Sequence, residues 1–264
     1  MHRAATITSS ANPLVKDVRR AIERGGLTSQ GWCVAETFHL VEEALRDAEV
    51  RQVLAAESAR EAAQARLDAY PGVPVAVLPD RLFQTVSATG TSQGVLALVN
   101  LPCRACFCLP ALLVVLDGVQ DPGNAGAIVR AAEAFGASGA LFLKGAVSPY
   151  NPKTLRASAG SLFRVPFLYG VEAEGARDAL EASRITRYAA VPARPGSPVR
   201  PLSEIDLTGD CAIVIGSEGG GVGPAMAGGA VGISIPTAGV ESLNAAVAAG
   251  ILLYEARRQR SARP

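Results

Sequence analysis

Ile235-Pro236-Thr237-Ala238-Gly239-Val240-Glu241-Ser242-Leu243-Asn244 is the stretch on which the reading of this chain turns. It closes a short apolar segment, Val231 to Ile235, and opens an alanine-rich one, Ala245 to Leu253, that ends in Tyr254-Glu255. Almost no charge appears before Glu255, so the pattern predicts a helix buried nearly all round, inside the chain or against a second subunit. Ser242 is the expected cap of that helix. A simple cap leaves Asn244 without a purpose.

Two other segments precede it. In Asp121-Pro122-Gly123-Asn124-Ala125-Gly126-Ala127-Ile128-Val129-Arg130, a turn follows the continuous apolar run Ala111 to Leu116. A helix is expected to begin near Asn124, a good N-cap residue, with Arg130 near its second turn. Ligands in open α/β sheets sit at such strand-end turns; the plainer reading is a capped crossover with a surface arginine. The other segment, Gly216 to Gly223, follows the apolar Ala212 to Ile215. Glycines there let backbone approach a ligand closely, and Glu218 is an acid in an otherwise uncharged loop. Neither GxGxxG in register after the strand nor Gly-x4-Gly-Lys is present, which argues against a nucleotide-dependent dehydrogenase on a doubly wound sheet.

Composition sets the outer limits. The chain has 264 residues, 49% of them apolar, few aromatics, and a net charge of +1. That suits one large or two modest α/β domains and gives no overall sign of a polyanionic partner. Two local basic clusters stand out as candidate phosphate contacts: Lys16, Arg19, Arg20 and Arg24, and Arg257, Arg258, Arg260 and Arg263. The competing reading of each is a solvated helix face or a frayed tail. No apolar run reaches the roughly 18 residues of a membrane span, and no signal peptide is visible, so a cytoplasmic protein is expected. Among five cysteines, Cys103 and Cys106 form a lone CxxC with Cys108 nearby, and neither His2 nor His39 is spaced to complete a zinc site. No metal is expected, and the odd count fits a reducing compartment.

The hydrophobic pattern divides the chain in two. Asn12-Pro13 starts a helix toward Arg24, and Phe38, Val41, Ala44, Leu45 and Ala48 recur at helical spacing. Strands are expected over 50–55, 73–78 and 94–99, with helices over 58–69 and 80–86. Residues 103–110, between prolines, read as a linker. Beyond it, strands over 111–116, 140–143, 165–168, 187–191, 212–215 and 231–235 alternate with helical patterns. They predict an open, mostly parallel sheet with helices on both faces. Pro192 to Pro201 reads as a surface loop.

The three segments together resemble the signature motifs of the SpoU (TrmH-like) branch of the SPOUT RNA ribose 2′-O-methyltransferases. The resemblance runs from Leu113 to Arg258 and includes Arg156-Ala157-Ser158-Ala159-Gly160. The first hundred residues are similar to the substrate-binding domain often fused to it, a relative of ribosomal protein L30e. The cues are Ser9 to Lys16, Glu36 with Leu40 to Leu45, and Thr91 to Val95. Relatives usually have glycine after the Glu36 counterpart, where this chain has Thr37, and Met after Ile-Pro, where it has Thr237.

The resemblance implies an α/β fold of two parts: an L30e-like RNA substrate-binding domain over 1–102, and over 111–264 a parallel-sheet α/β/α catalytic domain tied in a deep trefoil knot. It implies a homodimer and S-adenosylmethionine held by backbone near Gly216, Ile235 and Leu243. It implies that Arg130 acts on the 2′-hydroxyl, with Asn124, Glu218, Ser242 and Asn244 holding Arg130 and the ribose in place. Lys16, Arg19 and Arg20 are the implied RNA contacts, and structured RNA, ribosomal before transfer RNA, is the implied substrate. A non-catalytic RNA-binding or assembly factor on the same fold is the rival reading. The presence of all five polar residues argues against it.

Overall fold

The computed structural model describes residues 5–101, 103, 111–192 and 198–262. In chain order the elements are β1 (Ala5–Thr6), α1 (Pro13–Arg24), β2 (Cys33–Glu36), α2 (Phe38–Asp47), β3 (Glu49–Ala56), α3 (Arg60–Leu67), β4 (Val75–Leu78), α4 (Asp80–Gln84) and β5 (Val95–Asn100). There follow β6 (Leu112–Asp117), α5 (Pro122–Ala134), β7 (Gly139–Leu143), α6 (Pro152–Ser158), α7 (Ser161–Arg164), β8 (Phe167–Val171), α8 (Ala173–Ala182) and β9 (Thr186–Ala190). The last are β10 (Arg200–Pro201), β11 (Cys211–Gly216), α9 (Pro224–Ala227), β12 (Val231–Ser234) and α10 (Ala245–Ser261). These elements form two compact units. Residues up to 101 join with Ser148–Arg164 in the first, and Cys103–Val147 joins with Val165 onward in the second. The expected linker falls outside the described residues except for Cys103, whose thiol donates to the Phe167 carbonyl at 3.2 Å.

In the first unit α1 forms as its sequence requires. Asn12 Oδ1 accepts from Leu14 N, Pro13 occupies the first turn, and Gly25 in the left-handed region ends the helix with its N–H on the Ala21 and Ile22 carbonyls. Val15, Val18 and Ala21 then bury one face against Val34, Leu54, Leu96 and Leu98 of the sheet, with Phe83 beside them. That sheet is mixed, in the order β1-β4-β3-β5-β2, with β5 antiparallel to both β3 and β2. Strands β1 and β2 were not expected. Cys33-Val34-Ala35-Glu36 is buried on both faces, so it lacks the alternation that marks a half-exposed strand. The helix expected from Ser58 opens as a 3₁₀ turn over Glu57–Ala59 and continues as α3 from Arg60, with Asp80 accepting from the Ser58 N–H at 3.1 Å and hydroxyl at 2.8 Å.

The buried Glu36 carboxylate organises one loop of this unit. It accepts from the hydroxyls of Ser87 (2.5 Å), Ser92 (2.8 Å) and Thr89 (3.0 Å) and from the Ala88 N–H (2.8 Å). Full satisfaction is what allows a carboxylate to be buried there. Thr37, next in the chain, sits at φ 114° and ψ 151°. That region is essentially reserved for glycine and is severe for a β-branched residue. The Thr37 hydroxyl returns part of the cost by capping α2 at Leu40 N, 3.2 Å away.

The second unit is a seven-stranded, fully parallel sheet in the order β10-β12-β9-β11-β6-β7-β8. Central strands β6, β7 and β11 are buried on both faces, which is why they read as unbroken apolar runs. One face packs Leu113, Val115, Leu141, Leu143, Ala212 and Val214 against Ala176, Leu180 and Met226. The expected loop at 192–201 ends differently: Arg200 and Pro201 pair in parallel with Ile233 and Ser234, and 193–197 lie outside the described residues. Among the described residues no helix is long and apolar enough to cross a membrane.

Replacing Thr37 by glycine removes the strain, on the order of 1–3 kcal/mol, and loses a cap worth a few tenths relative to Gly, offset in part by the chain entropy of glycine. The Thr37→Gly protein is therefore expected to melt about 2–4 °C higher by calorimetry.

Candidate active site

All three motif segments end at the same edge of the parallel sheet, the carboxyl ends of its strands. Strand β6 ends at Asp117, opposite Gly216 at the end of β11. After β6 the chain turns, and Asp121, not Asn124, caps α5: its carboxylate accepts from Asn124 N at 2.7 Å. Asn124 is thereby freed for other bonds, and lies in the first turn of α5. After β11 the glycine segment folds back on itself. Ser217 and Gly221 exchange both backbone hydrogen bonds, and Gly220 N donates to Ser217 Oγ at 3.0 Å. A Cβ on Gly216 would lie 2.0 Å from the Gly221 carbonyl carbon, so only glycine fits there.

The third segment departs from expectation in a way that explains Asn244. The cap of α10 is Asn244, whose Oδ1 accepts from Ala246 N (2.9 Å) and Val247 N (3.2 Å). Ser242 is exposed and free of that task. The Asn244 side-chain nitrogen donates to Asn124 Oδ1 at 3.0 Å, and Asn124 Nδ2 donates to Glu218 Oε1 at 2.5 Å. One amide thus links all three segments, across 94 residues to Glu218 and 120 to Asn244.

Beside this relay lies a cleft of about 880 Å³. Gly216 to Gly221, Ser242 and Leu243 line it, with Ala190 and Pro192 after β9 and Ala245 and Ala248 on α10. A smaller hollow of about 90 Å³ adjoins it at Ile233, Ile235, Thr237 and Leu243. The size is that of a small-molecule site. Among the described residues the charged side chains lining the cleft are Glu218 and Glu241, both acidic, and none is basic. That set suits a cationic sulfonium and is wrong for a dinucleotide pyrophosphate. Gly216, Ile235 and Leu243 all lie at this place. Sequence reasoning did not single out Glu241, Ala190 or Ala248. Only their position after a strand or beside the Ser-Leu-Asn triplet hinted at them.

Arg130 is placed differently. It is exposed on α5, does not line the cleft, and forms no hydrogen bond or ion pair among the described residues. In the first unit, Arg19 is committed to Thr85, donating to its carbonyl at 3.2 Å and its hydroxyl at 2.6 Å, whereas Lys16 and Arg20 are exposed on the same helix. The C-terminal basic cluster is largely not a free tail. Helix α10 runs to Ser261 rather than ending near Glu255. Arg258 pairs with Glu255 at 2.7 Å, and hydrogen bonds from Arg258 and Gln259 hold the Glu255 carboxyl down to about 2. Arg260 donates to the carbonyls of Leu207 (2.9 Å), Ala111 (3.0 Å) and Gly209 (2.5 Å); Arg263 lies outside the described residues.

Helix α10 is not buried all round within the chain. Ala245, Ala249, Leu252, Leu253 and Ala256 face inward, but Val247 is 52%, Ile251 36% and Tyr254 54% exposed. Tyr254 also meets Phe135 edge to face at 5.7 Å. The buried thiols are not nucleophiles: burial pushes Cys33 up to about 12, and it also raises Cys211 against the opposing charge of Arg260.

An acid-lined, backbone-walled cleft at the strand ends of a parallel sheet is the kind of site an S-adenosylmethionine-dependent methyltransferase needs, and comparison with known proteins shows that class, the RNA methyltransferases. Residues 111–254 match the SpoU rRNA methylase family, and residues 12–97 match an MRM3-like substrate binding domain. The chain is 32% identical to the 23S rRNA (guanosine(2553)-2′-O)-methyltransferase RlmP of Bacillus subtilis (strain 168), over 95% of this chain and 98% of that protein. A crystal structure of an RNA 2′-O ribose methyltransferase superposes with TM-score 0.78 at 31% identity, covering 97% and 99% of the two chains. An AdoMet-bound rRNA methyltransferase from Sinorhizobium meliloti does so with TM-score 0.79 at 28% identity, covering 97% and 98%. The chain belongs to the SpoU rRNA methylase family.

Asn244 has two separable jobs. Asn244→Ser keeps a capping oxygen but cannot span to Asn124. It is expected to cost a few tenths of a kcal/mol in stability yet lower kcat about tenfold or more, measured by methyl transfer beside a thermal melt.

Proposed function

We propose that this protein transfers a methyl group from S-adenosylmethionine to a ribose 2′-hydroxyl of ribosomal RNA, with 23S RNA as the substrate. The observation that carries the reading is the Asn244–Asn124–Glu218 relay at the mouth of the acid-lined cleft. The substrate named for the Bacillus relative supports the choice of RNA, and that choice supports a cytoplasmic location.

S-adenosylmethionine supplies an activated methyl group. The rest is positioning. Gly216 admits backbone contact, Leu243 and Ile235 form the apolar wall, and Ser242 presents a free hydroxyl at the edge. Bound there, the cofactor would offer its methyl carbon to the ribose oxygen, with the bonding pair left on sulfur and the hydroxyl proton released to water. Arg130, exposed and without a partner among the described residues, holds an RNA phosphate and stabilises the developing alkoxide. Asn124, Glu218 and Asn244 fix the ribose against the cleft. Lys16 and Arg20, with the free nitrogen of Arg19, meet RNA phosphates on the substrate-binding domain over 1–102.

The working unit is a homodimer. Its support is the apolar row of Val247, Ile251 and Tyr254 on α10, spaced three and four residues apart like an interface stripe. The unpaired Arg130 on α5, the helix packed against α10, is then completed by a second copy or by RNA. The catalytic part, 111–264, is knotted in this reading. Three distant chain passages, at 190–192, 215–221 and 241–248, line one cleft.

Arg130→Ala is expected to lower kcat by about 100-fold or more with S-adenosylmethionine affinity unchanged by calorimetry; wild-type turnover would reject its role. Ile251→Glu is expected to shift the protein from dimer to monomer by light scattering and to abolish methyl transfer. A wild-type monomer that is fully active would remove the dimer from the mechanism.

A further inference from the structure

We propose that Asp117 is a positioning residue for the cofactor cleft, through the exit of the glycine loop. This rests on the reading that S-adenosylmethionine binds in that cleft. Asp117 is the last residue of β6, and its Oδ2 accepts from Gly223 N at 2.7 Å. Gly223 is where the loop leaves the cleft and turns into α9. The fit is close: a Cβ on Gly223 would lie 3.1 Å from Asp117 Oδ2. The other end of the loop is Gly216, the register partner of Asp117 on β11. Entry and exit of the loop therefore both meet the end of β6 at one residue.

The loop has a second tie, from Glu218 to Asn124, made by the same strand-end segment. The two ties act on different things. Glu218 belongs to the relay at the mouth of the cleft, where the ribose is held. Asp117 fixes how far Gly216 to Gly221 stand from Leu243 and Ala248 across the cleft. Losing the Glu218 tie disturbs the reacting geometry. Losing the Asp117 tie lets the loop exit drift and loosens the wall around the cofactor. An N–H hydrogen bond to a carboxylate is among the stronger ones in proteins, so the anchor has weight even at a half-buried position.

The inference predicts a kinetic split. In Asp117→Ala the dissociation constant and KM for S-adenosylmethionine rise about tenfold. The RNA dissociation constant and kcat at saturating cofactor change less than about twofold. Asp117→Asn, whose oxygen still accepts from Gly223 N, stays within about threefold of wild type. Gly223→Ala keeps the carboxylate but forces the exit away from it, and weakens cofactor binding as Asp117→Ala does; it also serves if Asp117→Ala fails to fold. The measurements are calorimetry with S-adenosylmethionine and steady-state methyl transfer on the full chain. Wild-type cofactor affinity in both Asp117→Ala and Gly223→Ala overturns the proposal, as does an Asp117→Asn defect equal to that of Asp117→Ala. Ala248→Trp, which fills the cleft, separates the two levels. If it binds cofactor normally, the cleft itself is misassigned. If it abolishes binding while the Asp117 and Gly223 variants bind normally, only the role of Asp117 falls.

Discussion

The three motif segments meet at one side-chain amide, that of Asn124. Asn124 needs both halves of that amide: its nitrogen donates to Glu218 and its oxygen accepts from Asn244. Aspartate offers no donor there, and serine has too short a reach to serve two partners. Asn124 is available only because Asp121 has taken over the capping of α5. Asn244 in turn serves two helix N–H groups and one side chain at once. The sequence order Asp-Pro-Gly-Asn is therefore a division of labour, with one residue closing the helix and another reaching across the sheet edge.

This arrangement suits a reaction in which the protein supplies little covalent chemistry. The transferred group arrives activated, and the remaining barrier is one of alignment. The molecule meets that demand with backbone packed so tightly that Gly216 has no room for a methyl group. The wall of the cleft is set by the segments that leave the ends of β9 and β11 and by the first turns of α10 with the residues just before it.

Much of this was legible in the sequence, for identifiable reasons. The parallel sheet could be read because β6, β7 and β11 are covered on both faces and show as unbroken apolar runs. The glycine segment and the Ser-Leu-Asn triplet stood out because their residue types are costly unless a turn or a ligand needs them. What stayed hidden depends on tertiary pairing. The two-residue strands β1 and β10 exist only through their neighbours, and β2 was masked by its lack of alternation. Which of Ser242 and Asn244 caps α10 was misjudged, because both residue types are good caps and only backbone geometry chooses. Within one copy the burial of α10 is partial: alanine-rich composition reports low polarity, but not which side of a helix a single copy leaves bare. The C-terminal basic cluster read equally as phosphate contacts or as a solvated face or frayed tail, since nothing local reveals that Arg260 reaches three carbonyls on distant segments.

That last contact joins the end of α10 to Ala111 and Gly209, at the starts of β6 and β11. The clasp spans 149 positions along the backbone, so it closes only after every strand of the parallel sheet has been made, and it ties the last helix to the two strands at the sheet's centre.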